Sequence, residues 1–154
     1  MQDIYIDDIG EGFPIILVHG YLGSSEMWKF QKEYLSKYFR VIAPALPGFG
    51  ESHDIKSLNS INLMAKNILK LLDKKKIDKF NLLGHSMGGM IVQEIARISG
   101  DRINKLICFA TGPIGDIPGR FEPIDKSIER LQVEGIKNHV ERIPPCLLYT
   151  SDAA

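Results

Sequence analysis

A short apolar run, Phe80-Asn81-Leu82-Leu83, passes directly into Gly84-His85-Ser86-Met87-Gly88-Gly89 and then into a segment carrying Ile91, Ile95 and Ile98. The first run predicts a buried strand, and the four- and three-residue spacing of the isoleucines predicts an amphipathic helix. Between them the spacing Gly-x-Ser-x-Gly puts a serine at a tight strand-to-helix turn. Strained backbone there lifts the hydroxyl above the sheet. Glycines flank the turn because side chains would collide in it. The helix starting near Met87 directs its dipole and free N–H groups at the serine, favouring the negative charge of a tetrahedral intermediate. Ser86 is the candidate nucleophile. Chance would place the pattern in such a chain on the order of 0.05 times. Its position between strand and helix sets it apart from a glycine-rich turn that merely binds an anion.

Upstream, the pattern alternates between strand and helix, as in an α/β sheet. Residues 4–9 alternate as a possible edge strand, followed by the turn-like Gly10-Glu11-Gly12. Ile15-Ile16-Leu17-Val18 is apolar throughout, as expected of a parallel strand covered on both faces. It leads into His19-Gly20-Tyr21-Leu22-Gly23. Acyl-transfer chemistry needs two donors aimed at the oxyanion. The N–H of Met87 would be one, and a loop N–H after this strand the other, with Tyr21 preferred and Leu22 the alternative. A glycine turn without catalytic meaning is the competing reading.

Residues 26–38 are expected to be helical, with Met27, Phe30, Tyr34 and Tyr38 inward and Lys29, Lys32, Glu33 and Lys37 between them. Residues 39–43 form the next expected strand, stopped by the turn cluster 44–50. A second helix is expected from about Asn62, with Met64, Ile68, Leu71 and Leu72 on one face. The third should end at Gly100, a residue suited to the position just past a helix end. Residues 106–110 are the last expected strand, and Cys108 within it is read as a small core residue. Residues 125–142 look helical.

Composition narrows the class. With 154 residues, 44% hydrophobic and 25% charged, the chain is of ordinary globular make-up. Nineteen basic residues balance nineteen acidic ones, so nothing points to a nucleic-acid partner. Lys74-Lys75-Lys76 reads as a solvated helix end. Cys108 and Cys146 lack metal-type spacing, and no apolar run reaches the length of a bilayer span. The start, Met1-Gln2-Asp3-Ile4, has neither the basic nor the apolar region of a signal peptide. A cytoplasmic protein acting on a small molecule is expected, without membrane, metal or cofactor.

Three elements in order, His19-Gly20, Pro47-Gly48-Phe49-Gly50-Glu51-Ser52 and Gly84-His85-Ser86-Met87-Gly88-Gly89, resemble the recurrent signatures of the α/β-hydrolase superfamily. The likeness covers residues from about 4 to 113 and is similar to the branch of small esterases, thioesterases, carbon–carbon bond hydrolases and related lyases. It implies a mostly parallel sheet with helices on both faces in residues 1–113. Residues 114–142 would begin a cap. Dehalogenases and epoxide hydrolases of this fold carry aspartate where Ser86 stands, so the resemblance implies carbonyl chemistry through an acyl-enzyme on serine. His19, Gly20, Gly84, His85 and Gly88 support the motifs. A non-catalytic ligand-binding relative, or a lyase or transferase with the same triad, is the alternative.

A serine nucleophile needs a base. His19 and His85 belong to turn motifs, His53 precedes the nucleophile, and His139 lies in a helix-like segment. Asp116 and Asp125 are weak candidates for the acid. The superfamily's order of nucleophile, acid, histidine places the missing members beyond residue 154. The tail from Pro144 fits no element of the fold, so residues 143–154 are read as foreign read-through or a disordered end.

Overall fold

The computed structural model describes residues 3–114 and 123–148. Two compact units divide the chain, residues 1–113 and residues 114–154. The first holds a five-stranded sheet: β1 (Ile6–Ile9), β2 (Pro14–Val18), β3 (Arg40–Pro44), β4 (Phe80–His85) and β5 (Ile103–Phe109). Their spatial order is β1-β3-β2-β4-β5, with β1 antiparallel to β3 and all other pairs parallel. From β2 the chain steps outward to β3 on one side, then returns to β4 on the other. The sheet therefore reverses direction between β2 and β4, where doubly wound sheets open a crevice at the carboxyl ends of their strands.

Period-2 alternation sorts the strand residues onto two faces. Ile16, Val18, Ile42, Phe80 and Leu82 form one buried face, covered by α2 (Ile61–Lys74) and α3 (Met87–Ser99) through Met64, Ala65, Ile68, Ile91, Val92 and Ile95. Ser60 caps α2, its hydroxyl accepting the N–H of Leu63. Ile15, Leu17, Val41 and Ala43 form the other face. Trp28 covers it from a 3-10 turn at Ser25–Trp28, with Leu35 from α1 (Lys29–Leu35) packed alongside. Helices thus lie on both faces of a mostly parallel sheet, as the resemblance implied.

The first helix departs from expectation in phase. Trp28, Lys32 and Leu35 form its inward stripe, whereas Met27, Phe30, Tyr34 and Tyr38 are exposed, Phe30 by 74%. Both stripes have helical spacing. The inward one is chosen by Trp28, only 3% exposed, which fills the sheet face. Lys32 is 7% exposed because its ammonium is held by Asp7 of β1 and, at 3.1 Å, by Glu26. Burial alone would lower the lysine's pKa, but the hydrogen bonds to Asp7 and Glu26 outweigh it and leave it raised.

Three further expectations are refined. α3 ends at Gly100 as expected, but this residue has φ −61° rather than a left-handed conformation and opens a 3-10 turn, Gly100–Arg102, that feeds β5. Added side-chain bulk there would meet nothing within 4 Å, so the position does not demand glycine. Cys108 is exposed rather than in the core. Among the described residues β5 pairs only with β4, so its outer edge and much of both faces stay open. Lys74 and Lys75 are not merely solvated but pair with Asp3 and, at 2.8 Å, Asp8.

In the second unit α4 (Ile124–Leu148) is broken at Gly135, whose φ of +77° splits it into two helical stretches. It contains Asp125, which is exposed, and the backbone of His139. Asp116 lies outside the described residues, as do residues 149–154 of the tail. No helix among the described residues is long and apolar enough to cross a membrane.

Candidate active site at the carboxyl ends of β2 and β4

The two motifs that the sequence placed far apart meet at the reversal point of the sheet. Val18 of β2 is paired in register with Gly84 of β4, so the loops after both strands leave the same edge side by side. Ser86 follows β4 with φ +53° and ψ −119°, a conformation that residues with a Cβ rarely adopt. It is the residue before α3, yet its side chain makes no cap hydrogen bond. Ser60, at the same place before α2, spends its hydroxyl on Leu63. The half-buried Ser86 hydroxyl is left for other chemistry.

The glycines of the turn answer to specific collisions. A Cβ on Gly84 would lie 2.3 Å from the carbonyl oxygen of Gly88. One on Gly88 would lie 2.3 Å from that of Val18 and 2.4 Å from that of His19. Gly88 is therefore what lets α3 start against the end of β2. At Gly20 a Cβ would come within 3.0 Å of the Ser86 Cβ and 3.1 Å of the His85 Nδ1. The loop after β2 thus passes close against the serine at Gly20, leaving little room there for a side chain. Leu22 follows at φ +60°. Gly89 is a site the elbow alone does not require: its missing Cβ makes room for Thr111, whose side-chain atoms would otherwise be 2.4 Å away.

His19 fixes this loop. It is fully buried, its Nε2 accepting the N–H of Leu46 at 2.9 Å and its Nδ1 lying 2.8 Å from the carbonyl of Gly20. Those partners assign the proton to Nδ1, which donates to Gly20. Because Nε2 accepts a backbone N–H, the ring is neutral; burial lowers its pKa, partly opposed by the Gly20 hydrogen bond. With both nitrogens committed, His19 cannot serve as base toward Ser86. The loop Pro47-Gly48-Phe49-Gly50-Glu51-Ser52, only a turn in sequence, supports the same place. Phe49 makes edge-on contacts to His19 and Tyr21, with ring centroids 5.8 and 6.0 Å apart.

His85 packs on Phe109 at 5.4 Å between centroids, and its buried Nδ1 has no hydrogen-bond partner among the described residues. Burial lowers its pKa. His53 is exposed and lies 3.3 Å from Asp54. The end of β5 grips the elbow from beside it. The Ser86 N–H donates to the Phe109 carbonyl at 3.0 Å, and the Thr111 hydroxyl donates to the Ser86 carbonyl at 2.7 Å. Nothing in the sequence around Thr111 announced this contact except the second glycine, Gly89. A crevice between α2 and the N-terminal segment, lined by Asn67, Lys70, Leu71 and Lys74 among others, does not include Ser86.

A strained serine at a helix start, with a glycine-rich loop against it, can present a hydroxyl to a carbonyl carbon and backbone N–H groups to its oxygen. Known proteins resemble this chain in sequence and fold. The chain is 36% identical over 111 residues to a dihydrolipoyllysine-residue acetyltransferase component of an acetoin cleaving system from Pseudomonas putida, covering 71% of this chain and 30% of that protein. It is 35% identical over 119 residues to a pimeloyl-[acyl-carrier protein] methyl ester esterase from Photobacterium profundum, covering 77% of this chain and 45% of the relative. A solved thermophilic esterase from Thermogutta terrifontis superposes with TM-score 0.78 at 37% identity, over 92% of this chain and 53% of that one. The chain thus spans about a third to a half of the length of these relatives. The sequence profile of the α/β hydrolase fold matches residues 14–132, and the chain belongs to that family.

Proposed function

We propose that the protein carrying this chain is a serine hydrolase acting on an ester, thioester or related carbonyl compound of small size, in the cytoplasm. The observation that carries the proposal is the backbone of Ser86, φ +53° and ψ −119°, at the reversal point of the sheet with Gly20 packed against it. In this reading the Ser86 Oγ attacks the carbonyl carbon while its proton passes to a base. The N–H groups of Tyr21 and Met87 hold the oxyanion, the bond to the leaving alcohol or thiol breaks, and water then releases the acid from the acyl-enzyme. The base and its acid partner are residues other than His19, which is locked in its two hydrogen bonds. The esterase names of two relatives support an ester as the substrate.

Turnover of short-chain p-nitrophenyl esters and thioesters by the full natural reading frame tests the proposal. It expects activity that Ser86→Ala removes, and activity surviving that substitution would overturn it. A second reading, transfer of the acyl group to an acceptor other than water, is favoured by the acetyltransferase relative. Product analysis with an added thiol separates the two, since transfer yields a new thioester and hydrolysis yields the free acid.

A further inference from the structure

Ser86 occupies a backbone region, φ +53° and ψ −119°, that is strained for a residue with a Cβ, so the surrounding structure must hold it there. The helix does part of this. The Ser86 carbonyl accepts the N–H of Gly89 at 2.9 Å and of Met90 at 3.3 Å, as any helix start would. Its third donor is different in kind. The Thr111 hydroxyl reaches that carbonyl at 2.7 Å from 25 residues away, beyond the end of β5. A threonine satisfying only local backbone would bond within a few residues. This one has such an option, the Gly112 carbonyl at 3.3 Å, but lies closer to Ser86. A hydroxyl has one proton to give, and the shorter contact takes it.

Several features exist to deliver that hydroxyl. Ala110 has φ +46°, a left-handed turn that bends the chain back after Phe109 has accepted the Ser86 N–H at 3.0 Å. Gly89 lacks the Cβ that would overlap the Thr111 side chain at 2.4 Å. From α3, Gln93 donates to the carbonyls of Gly89 and Gly112 at 3.1 and 3.2 Å, fastening the residue after Thr111 to the first turn of the helix. The peptide groups on both sides of Ser86 are thereby held by the end of β5.

We infer that Thr111 is a positioning residue for the nucleophile: its hydroxyl locks the Ser86 carbonyl, and with it the orientation from which the Ser86 Oγ attacks. It touches no reacting atom. The inference rests on the reading of Ser86 as nucleophile, and the test keeps the two apart.

In the full natural reading frame, the rate of fluorophosphonate labelling and ester hydrolysis are measured for wild type, Thr111→Val and Thr111→Ser, each normalised to folded protein by thermal melting. Valine keeps the branched shape and removes the hydroxyl; serine keeps the hydroxyl and removes the methyl. Thr111→Val is expected to slow labelling by at least about tenfold and to lower kcat with KM unchanged, because misaiming a nucleophile weakens the chemical step rather than binding. Thr111→Ser is expected to recover most of the rate. Wild-type labelling in Thr111→Val overturns the inference, as does a Thr111→Ser variant as slow as valine, since a hydroxyl at this position would then not restore the rate. A wild-type protein that does not label overturns the Ser86 reading, and this inference falls with it.

Discussion

Ser86 combines a strained backbone with a hydroxyl that its own helix does not use. If strain is retained for chemistry, removing the Cβ should stabilise the fold while abolishing reactivity. Glycine adopts this backbone region freely, though it also loosens the unfolded chain by about 0.4–1 kcal/mol. Against a strain of about 1–3 kcal/mol, Ser86→Gly is expected to raise stability by roughly 1 kcal/mol, read as a higher Tm, with labelling lost. A lower Tm would mean that the elbow is not strained at Ser86. The tight turn at Ser86 was legible in sequence because its flanking glycines answer to backbone atoms of other elements: Gly84 to Gly88, and Gly88 to Val18 and His19. Thr111 was not legible. A single threonine after a strand carries no pattern, and its glycine counterpart, Gly89, hides inside a motif that already has two.

At the scale of elements, the sheet was readable and the phase of the first helix was not. The short apolar runs of β2 and β4 read as doubly covered parallel strands, and the isoleucines of α3 fall on one face. Around α1 two stripes compete, one with four large apolar residues and one with Trp28, Lys32 and Leu35. Counting apolar residues favours the first. The fold selects the second because Trp28 fills the sheet face and Asp7, on a strand far away in sequence, neutralises Lys32. The two stripes make opposite predictions under substitution. Trp28→Ala should cost about 3–5 kcal/mol, as for other buried aromatics, while Phe30→Ser should stay within about 0.5 kcal/mol. Chemical denaturation of both variants checks this, and the reverse order would restore the aromatic stripe to the core.

For the molecule as a whole, the N-terminal strand is tied to the rest by charge. Asp8 accepts two hydrogen bonds from Arg40 at 2.8 and 2.7 Å and one from Lys75 at 2.8 Å. The Arg40 hydrogen bonds, opposed by partial burial and aided by Lys75, hold the Asp8 carboxyl down from 3.8 to about 2. A depressed carboxylate contributes stability that is complete above its unfolded value and lost as pH falls through its folded value. The advantage of wild type over Asp8→Asn should thus be present at pH 7 and disappear between about pH 4 and pH 2, followed by Tm against pH. A constant difference across that window would contradict the pairing. At the other edge, β5 exposes Leu106, Ile107 and Phe109, the last by 57%. Open apolar edge strands template association, so the 154-residue chain should self-associate with concentration in sedimentation. Ile107→Lys should reduce this without lowering Tm, whereas a monodisperse wild-type monomer would count against it.

If Ser86 is the nucleophile, a covalent adduct formed by an active-site probe must sit on its hydroxyl. Fluorophosphonate-labelled protein from the full natural reading frame is digested with trypsin, and the modified peptide is located by mass spectrometry. One adduct is expected, on the peptide of residues 80–97, assigned by fragmentation to Ser86 and absent from Ser86→Ala. An adduct on any other residue, or no adduct at any pH, would contradict it.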